Sequence, residues 1–88
     1  MATIKKKCHP KYFKKILTGE KNYEFRLNDF TCKKDDILFL EEWDPKTKKY
    51  TGRSVSKKIT YVAKFKIDKL FWPEVEIKKK GIQIIELK

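Results

Sequence analysis

Between Ile59 and Ile67, Ile59, Tyr61, Ala63, Phe65 and Ile67 alternate with Thr60, Lys64 and Lys66. That is the period of a β-strand with one covered and one wet face, and it predicts a long strand here. Shorter signals of the same kind precede and follow it. Residues 4–8 suit a short first strand. Residues 21–27 set Tyr23 and Phe25 on one side and Asn22, Glu24 and Arg26 on the other. Ile37 to Leu40 is a continuous apolar run, suited to a strand covered on both faces, and it continues through Glu41 and Glu42 to Trp43. Asp44 to Lys48 has turn chemistry and residues 49–53 lead back out of it, which predicts a hairpin excursion. Gly81 precedes a final strand over residues 82–87, while Leu70 to Pro73 reads as an apolar loop and residues 75–77 fit helix or strand.

One helix interrupts the series. Pro10 is placed to be its first residue, His9 marks its start, and Gly19 supplies the residue that ends it. Phe13, Ile16 and Leu17 fall on one face, with Lys11, Lys14 and Lys15 on the other. Short strands in this number leave exposed edges if the sheet lies flat, and closure removes them. The expected fold is α+β and mainly β: a small closed β-barrel of about five strands, with one short helix between the first two. In that barrel Phe13, Ile16 and Leu17 cover Tyr23, Phe25, Leu38, Leu40, Tyr61 and Phe65, and all nine are expected to be buried. A chain of 88 residues supports one hydrophobic core, so residues 1–88 are read as a single domain.

Composition enters through charge. The 23 basic and 12 acidic residues leave a net charge of +11, enough to draw polyanions by steering and counterion release, so nucleic acid leads as the expected partner. The competing explanation is a set of solvated lysines, since nearly every basic residue is Lys. Arg26 and Arg53 are the two exceptions, and both become candidates for planar, bidentate contacts with phosphate or carboxylate. The opening residues lack an apolar run, and no segment approaches the ~20 apolar residues of a membrane span, so a cytoplasmic chain without membrane contact is expected. Cys8 and Cys32 lie far apart with no ligand cluster around them, so both are read as free thiols. No zinc, P-loop, dinucleotide or Ser-His-Asp signature occurs, and no cofactor or metal is expected.

The segment from Gly19 to Arg26 carries a G-x-K-x-x-E-x-R pattern where helix gives way to strand. On this pattern, with Asp36-Ile37-Leu38, Glu42-Trp43-Asp44 and Tyr50-Thr51-Gly52-Arg53, the chain resembles the ASCH domains, a PUA-like family, and within that superfamily a bacterial and phage branch. The resemblance implies a barrel with a cleft beside the helix that holds RNA or a modified nucleoside. Gly19, Lys21, Glu24 and Arg26 are then the candidate ligand residues, joined by Arg53 as an anion partner. Trp43 and Tyr50 flank the hairpin, where they either stack on a base, a contact worth ~1–3 kcal/mol, or pack as rim residues. Glu24 and Arg26 have an alternative as a simple surface ion pair worth ~0–1 kcal/mol.

Some ASCH relatives are amidohydrolases that deacetylate N4-acetylcytidine with a lysine, a threonine and a glutamate. Lys21 matches the lysine, Glu24 stands at the threonine position, and the later glutamate falls loosely at Glu74 or Glu76. The missing hydroxyl removes that nucleophile. Lys21 and Glu24 then remain as candidate catalytic groups, with Glu24 as a base on water. A third possibility, a module that docks an acidic protein, accounts for the charge but not for the pattern.

Overall fold

The computed structural model describes residues 1–85 and residue 87. Its elements run β1 (Thr3–Cys8), α1 (Pro10–Thr18), β2 (Ile37–Asp44), β3 (Lys49–Lys58), a 3-10 turn (Ile67–Lys69) and α2 (Glu74–Lys80).

Helix α1 forms where its pattern predicts. The His9 carbonyl accepts the amides of Tyr12 and Phe13 at 3.0 and 2.9 Å, and Pro10 fills the first turn, where its missing N–H costs nothing. Gly19 closes it at φ 86°, with its amide donating to the Ile16 carbonyl at 3.2 Å, a left-handed conformation that glycine adopts without strain. β1 and β2 pair in parallel from Thr3 opposite Ile37 to Cys8 opposite Glu42, with α1 in the crossover between them. β2 and β3 form an antiparallel hairpin, turned at residues 45–48, where Asp44 Oδ1 accepts the Lys46 amide at 2.8 Å. Its register shifts between Glu41 and Trp43, and Gly52, at φ 94°, sits in the irregular stretch of β3.

Alternation divides the sheet into two faces. Leu38, Leu40 and Glu42 look toward α1 along with Lys6 and Cys8, while Phe39, Glu41 and Trp43 look away with Lys5 and Lys7. The core lies on the α1 side: Cys8, Phe13, Ile16 and Leu40 are buried, and Leu38 and Val55 pack against them.

The closed five-stranded barrel does not form. Among the described residues the sheet has three strands in the order β1-β2-β3 and is open. Residues 21–27 run irregularly beside β1 and are tied to it by a side chain, Arg26, whose Nη2 donates to the Lys7 carbonyl at 2.6 Å, instead of by a backbone ladder. Residues 59–66 are irregular as well. Ile59 exchanges backbone bonds with the Asp35 and Asp36 turn, its amide donating to Asp36 O at 2.8 Å and its carbonyl accepting Asp35 N–H at 2.7 Å, and the chain then leaves the sheet. Residues 82–85 are irregular, and the Glu86 position of the expected last strand lies outside the described residues. Alternation specifies two faces but not a partner edge, and a strand without a partner is not stable. Of the nine residues expected in the core, Phe13, Ile16 and Leu40 are buried and Leu38 is half-buried; Leu17, Tyr23, Phe25, Tyr61 and Phe65 are exposed.

Residues 75–77 belong to α2, which buries no side chain. Local electrostatics favour it: Glu74 and Glu76 occupy its first turn, Lys78, Lys79 and Lys80 its last, and the pairs Glu74 with Lys78 and Glu76 with Lys80 close at 3.1 Å each.

Candidate functional site

A hollow of about 710 Å³ opens where residues 21–30 pass the end of β1 and the start of α1. Lys6, Lys7, Cys8 and His9 form its floor, Tyr12 comes from α1, and Lys21, Tyr23, Glu24 and Arg26 close it from above. The helix stop at Gly19 aims this segment: a reversal there, reinforced by the Lys21 amide donating to Lys15 O at 3.0 Å, returns the chain past α1 toward β1.

Three charged side chains meet in the hollow. Arg26 Nε donates to Glu24 Oε2 at 2.7 Å, and Lys21 Nζ stands 3.5 Å from the other oxygen, Oε1. With Nη2 on the Lys7 carbonyl, two of the three Arg26 nitrogens are engaged by the protein. The Lys21 ammonium also lies 4.7 Å from the Tyr12 ring centre and 5.2 Å from that of Tyr23, a cation between two aromatic faces. Lys21, Glu24 and Arg26 are all partly shielded from solvent. Beneath them burial pushes the Cys8 thiol up from its ordinary value, with Glu24 adding to the rise while Arg26 and Lys21 oppose it. Cys8 therefore stays protonated near neutral pH and is a poor nucleophile.

Arg53 is held elsewhere. Its Nε and Nη2 donate to Glu42 Oε1 and Oε2 at 2.9 and 2.7 Å, the Thr51 hydroxyl donates to Oε1 at 2.6 Å, and the guanidinium lies 5.3 Å from the Phe13 ring centre. The irregular Thr51-Gly52-Arg53 stretch turns both side chains toward the carboxylate. The Arg53 bonds hold the Glu42 carboxyl below the usual range, against burial that pushes it up, with Thr51 adding to the fall. This cluster packs over the core, on the α1 side of the sheet. Trp43 and Tyr50 sit opposite each other on the far face, neither of them lining the hollow.

Tyr12, Tyr23 and the Lys7 carbonyl are site groups that pattern reading missed. Tyr12 falls outside the apolar stripe of Phe13, Ile16 and Leu17 that the helix pattern picks out, and a backbone carbonyl leaves no trace in a sequence. Asp36, which the sequence pattern includes without a role, accepts with its carboxylate the amides of Ala2 at 2.9 Å and Lys33 at 3.0 Å, and the Ala2 bond is the main reason its carboxyl is held low. Among the described residues no group of three or more His, Cys, Asp or Glu side chains is placed to hold a metal ion, and no helix is long and apolar enough to cross a membrane. A second, more apolar hollow of about 1000 Å³ lies on the other side of residues 21–27, between Leu38, Leu40 and residues 57–68.

Residues 3–85 match the family model described as "Domain of unknown function (DUF3850)". The chain belongs to this family. The DUF3850 match spans every residue of the hollow and of the Glu42 cluster. Among curated proteins, the chain is 43% identical over 56 residues to an "Uncharacterized 12.9 kDa protein in GpA 3'region" of Escherichia phage P2. That alignment takes in 64% of this DUF3850 chain and 50% of the phage protein, so the chain spans about half the length of that relative. No solved structure matches the chain.

Proposed function

We propose that this chain binds RNA or a nucleotide-like ligand in the hollow at Lys21, Glu24 and Arg26. The observation that carries this reading is the meeting of Lys21, Glu24 and Arg26 with Tyr12 and Tyr23 around one hollow, in a chain of net charge +11. Two aromatic rings offer stacking surfaces for a base. Lys21 supplies a point charge for a phosphate, Arg26 is oriented by Glu24 and Lys7 before any ligand arrives, and Glu24 is placed to accept a base N–H. Lys6 and Lys7 border the floor and extend the positive field. The likeness of residues 19–26 to the ASCH pattern adds support.

Titrating the chain with single-stranded RNA at increasing salt tests this. The expected result is a log-log decline of affinity with salt, with Lys21→Ala weakening binding well beyond Lys48→Ala on the hairpin turn. Absence of binding at low salt, or affinity flat in salt, overturns it.

A hydrolytic reading rests on one contact, Lys21 Nζ to Glu24 Oε1 at 3.5 Å, which pairs a carboxylate base with a cation able to stabilise an oxyanion. Hydrolysis of N4-acetylcytidine, lost in both Lys21→Ala and Glu24→Gln, would favour it over binding alone.

A further inference from the structure

The face of the sheet turned away from α1 meets the hollow at Lys7, and beyond it gathers aromatic and cationic side chains in register. Phe39 and Trp43 stand four residues apart on β2, ~13 Å along the strand, and Tyr50 on β3 lies directly opposite Trp43. Lys5, the register partner of Phe39, holds its ammonium 5.8 Å from that ring, and the Lys7 ammonium is 4.4 Å from the Trp43 ring. Phe39 and Trp43 are half-buried and Tyr50 is 53% exposed, so the rings are open to a partner. Ser54 and Ser56, opposite Glu41 and Phe39, are too short to cover them.

We infer that this open sheet face is a stacking platform for single-stranded nucleic acid, with Trp43 and Tyr50 contacting bases and Lys5 and Lys7 contacting phosphates. The inference rests on the nucleic-acid reading above and adds a second surface to it. Charge selects the occupant: Lys58 is paired with Asp35 at 3.3 Å, and Lys5 and Lys7 remain against one carboxylate, Glu41, among the strand positions of this face. Aromatic rings at strand spacing with cations between them suit a polyanion whose bases have π-faces, and exposed sheet aromatics that stack successive bases are an established means of holding single strands. An acidic peptide would use the lysines and leave the rings without partners. The two surfaces are continuous around the β1 edge. Lys7 lines the hollow and holds its ammonium 4.4 Å from the Trp43 ring, and His9, also in the hollow, has its ring centre 6.0 Å from that of Trp43.

Trp72→Phe leaves Trp43 as the sole indole and gives a direct optical readout. In that background a short oligouridylate quenches Trp43 fluorescence, and Tyr50→Ala weakens oligouridylate binding by about tenfold, while uridine monophosphate binding is unchanged. Lys5→Gln, a second exposed change, lowers oligouridylate affinity and flattens its salt slope by about one ion. Circular dichroism of each variant establishes that the fold is retained. Oligouridylate that binds with unaltered Trp43 emission and equal affinity for Tyr50→Ala, but is weakened by Lys21→Ala, overturns the platform and leaves the hollow standing. If neither oligouridylate nor uridine monophosphate binds at low salt, the nucleic-acid reading falls and the platform with it.

Discussion

Phe13 and Phe71 are the same side chain at opposite extremes, 0% and 97% exposed. Phe13 projects from a capped helix onto a paired strand, where Leu40, Ile16 and Cys8 enclose it. Phe71 follows the 3-10 turn and meets Trp72 edge-on at 6.2 Å, with little else around it. The contrast extends to their regions. Every buried residue among those described lies between Cys8 and Glu42, and none lies in residues 59–85, although Ile59, Tyr61, Val62, Phe65, Ile67, Leu70, Phe71 and Trp72 are there. The radius of gyration, 14.9 Å, exceeds the roughly 12 Å of a close-packed chain of this length, as expected when one region packs and the other does not. Apolar content alone does not make a core; it takes elements whose backbones are already paired so that their faces can meet.

The sharpest way to break this comparison is to truncate both phenylalanines. Phe13→Ala should destabilise by about 3–5 kcal/mol in denaturant unfolding, the cost of a large cavity in a small core. Phe71→Ala should stay within about 0.5 kcal/mol of the parent. Equal losses at the two positions would mean that residues 59–85 are packed as tightly as the helix-sheet unit.

Glu42→Gln probes the same unit through its polar cluster, with a smaller effect. It removes the charge that Arg53 and Thr51 share, and should cost about 1–3 kcal/mol, toward the lower end because the Arg53 side chain is 57% exposed. The sign of its pH dependence follows from the direction of the shift. The Glu42 carboxyl is held below its ordinary value of 4.5, so its stabilisation is present above that pH and is lost as pH falls through the lower folded-state value. Asp36, also held low, acts in the same direction. Thermal melts of the parent should fall on acidification below about pH 4.5, and Glu42→Gln should flatten that limb without removing the part due to Asp36. A melting profile in Glu42→Gln as steep as the parent's would show that Glu42 is not the titrating group.

Within the helix-sheet unit much is legible in the sequence. His9, Pro10 and Gly19 bound α1 through local chemistry, and the apolar run from Ile37 and the turn at Asp44 specify β2 and its hairpin through local pattern. What was not legible depended on distant partners. Tyr23, Phe25, Tyr61 and Phe65 alternate as a strand should, but alternation is silent on whether a sheet edge is there to receive them, and closure of the sheet was inferred from strand count. The site divides in the same way. Lys21, Glu24 and Arg26 share a short segment and were found from its pattern. The Lys7 carbonyl that tethers Arg26 lies 19 residues earlier. Arg53 drew notice through the scarcity of arginine, but its carboxylate partner Glu42 emerges only once the β2-β3 register is known.

The hollow is built almost wholly from residues 6–30, so ligand binding should perturb the helix-sheet unit and spare residues 59–85, apart from Ile82 and Ile84 at its rim. The most direct measurement is a residue-resolved NMR titration of the intact chain with uridine monophosphate at low salt. Saturable amide shifts concentrated at Cys8, Tyr12, Lys21, Tyr23, Glu24 and Arg26 are the predicted result. Shifts centred on residues 61–75, or spread evenly over the lysines, would contradict the account.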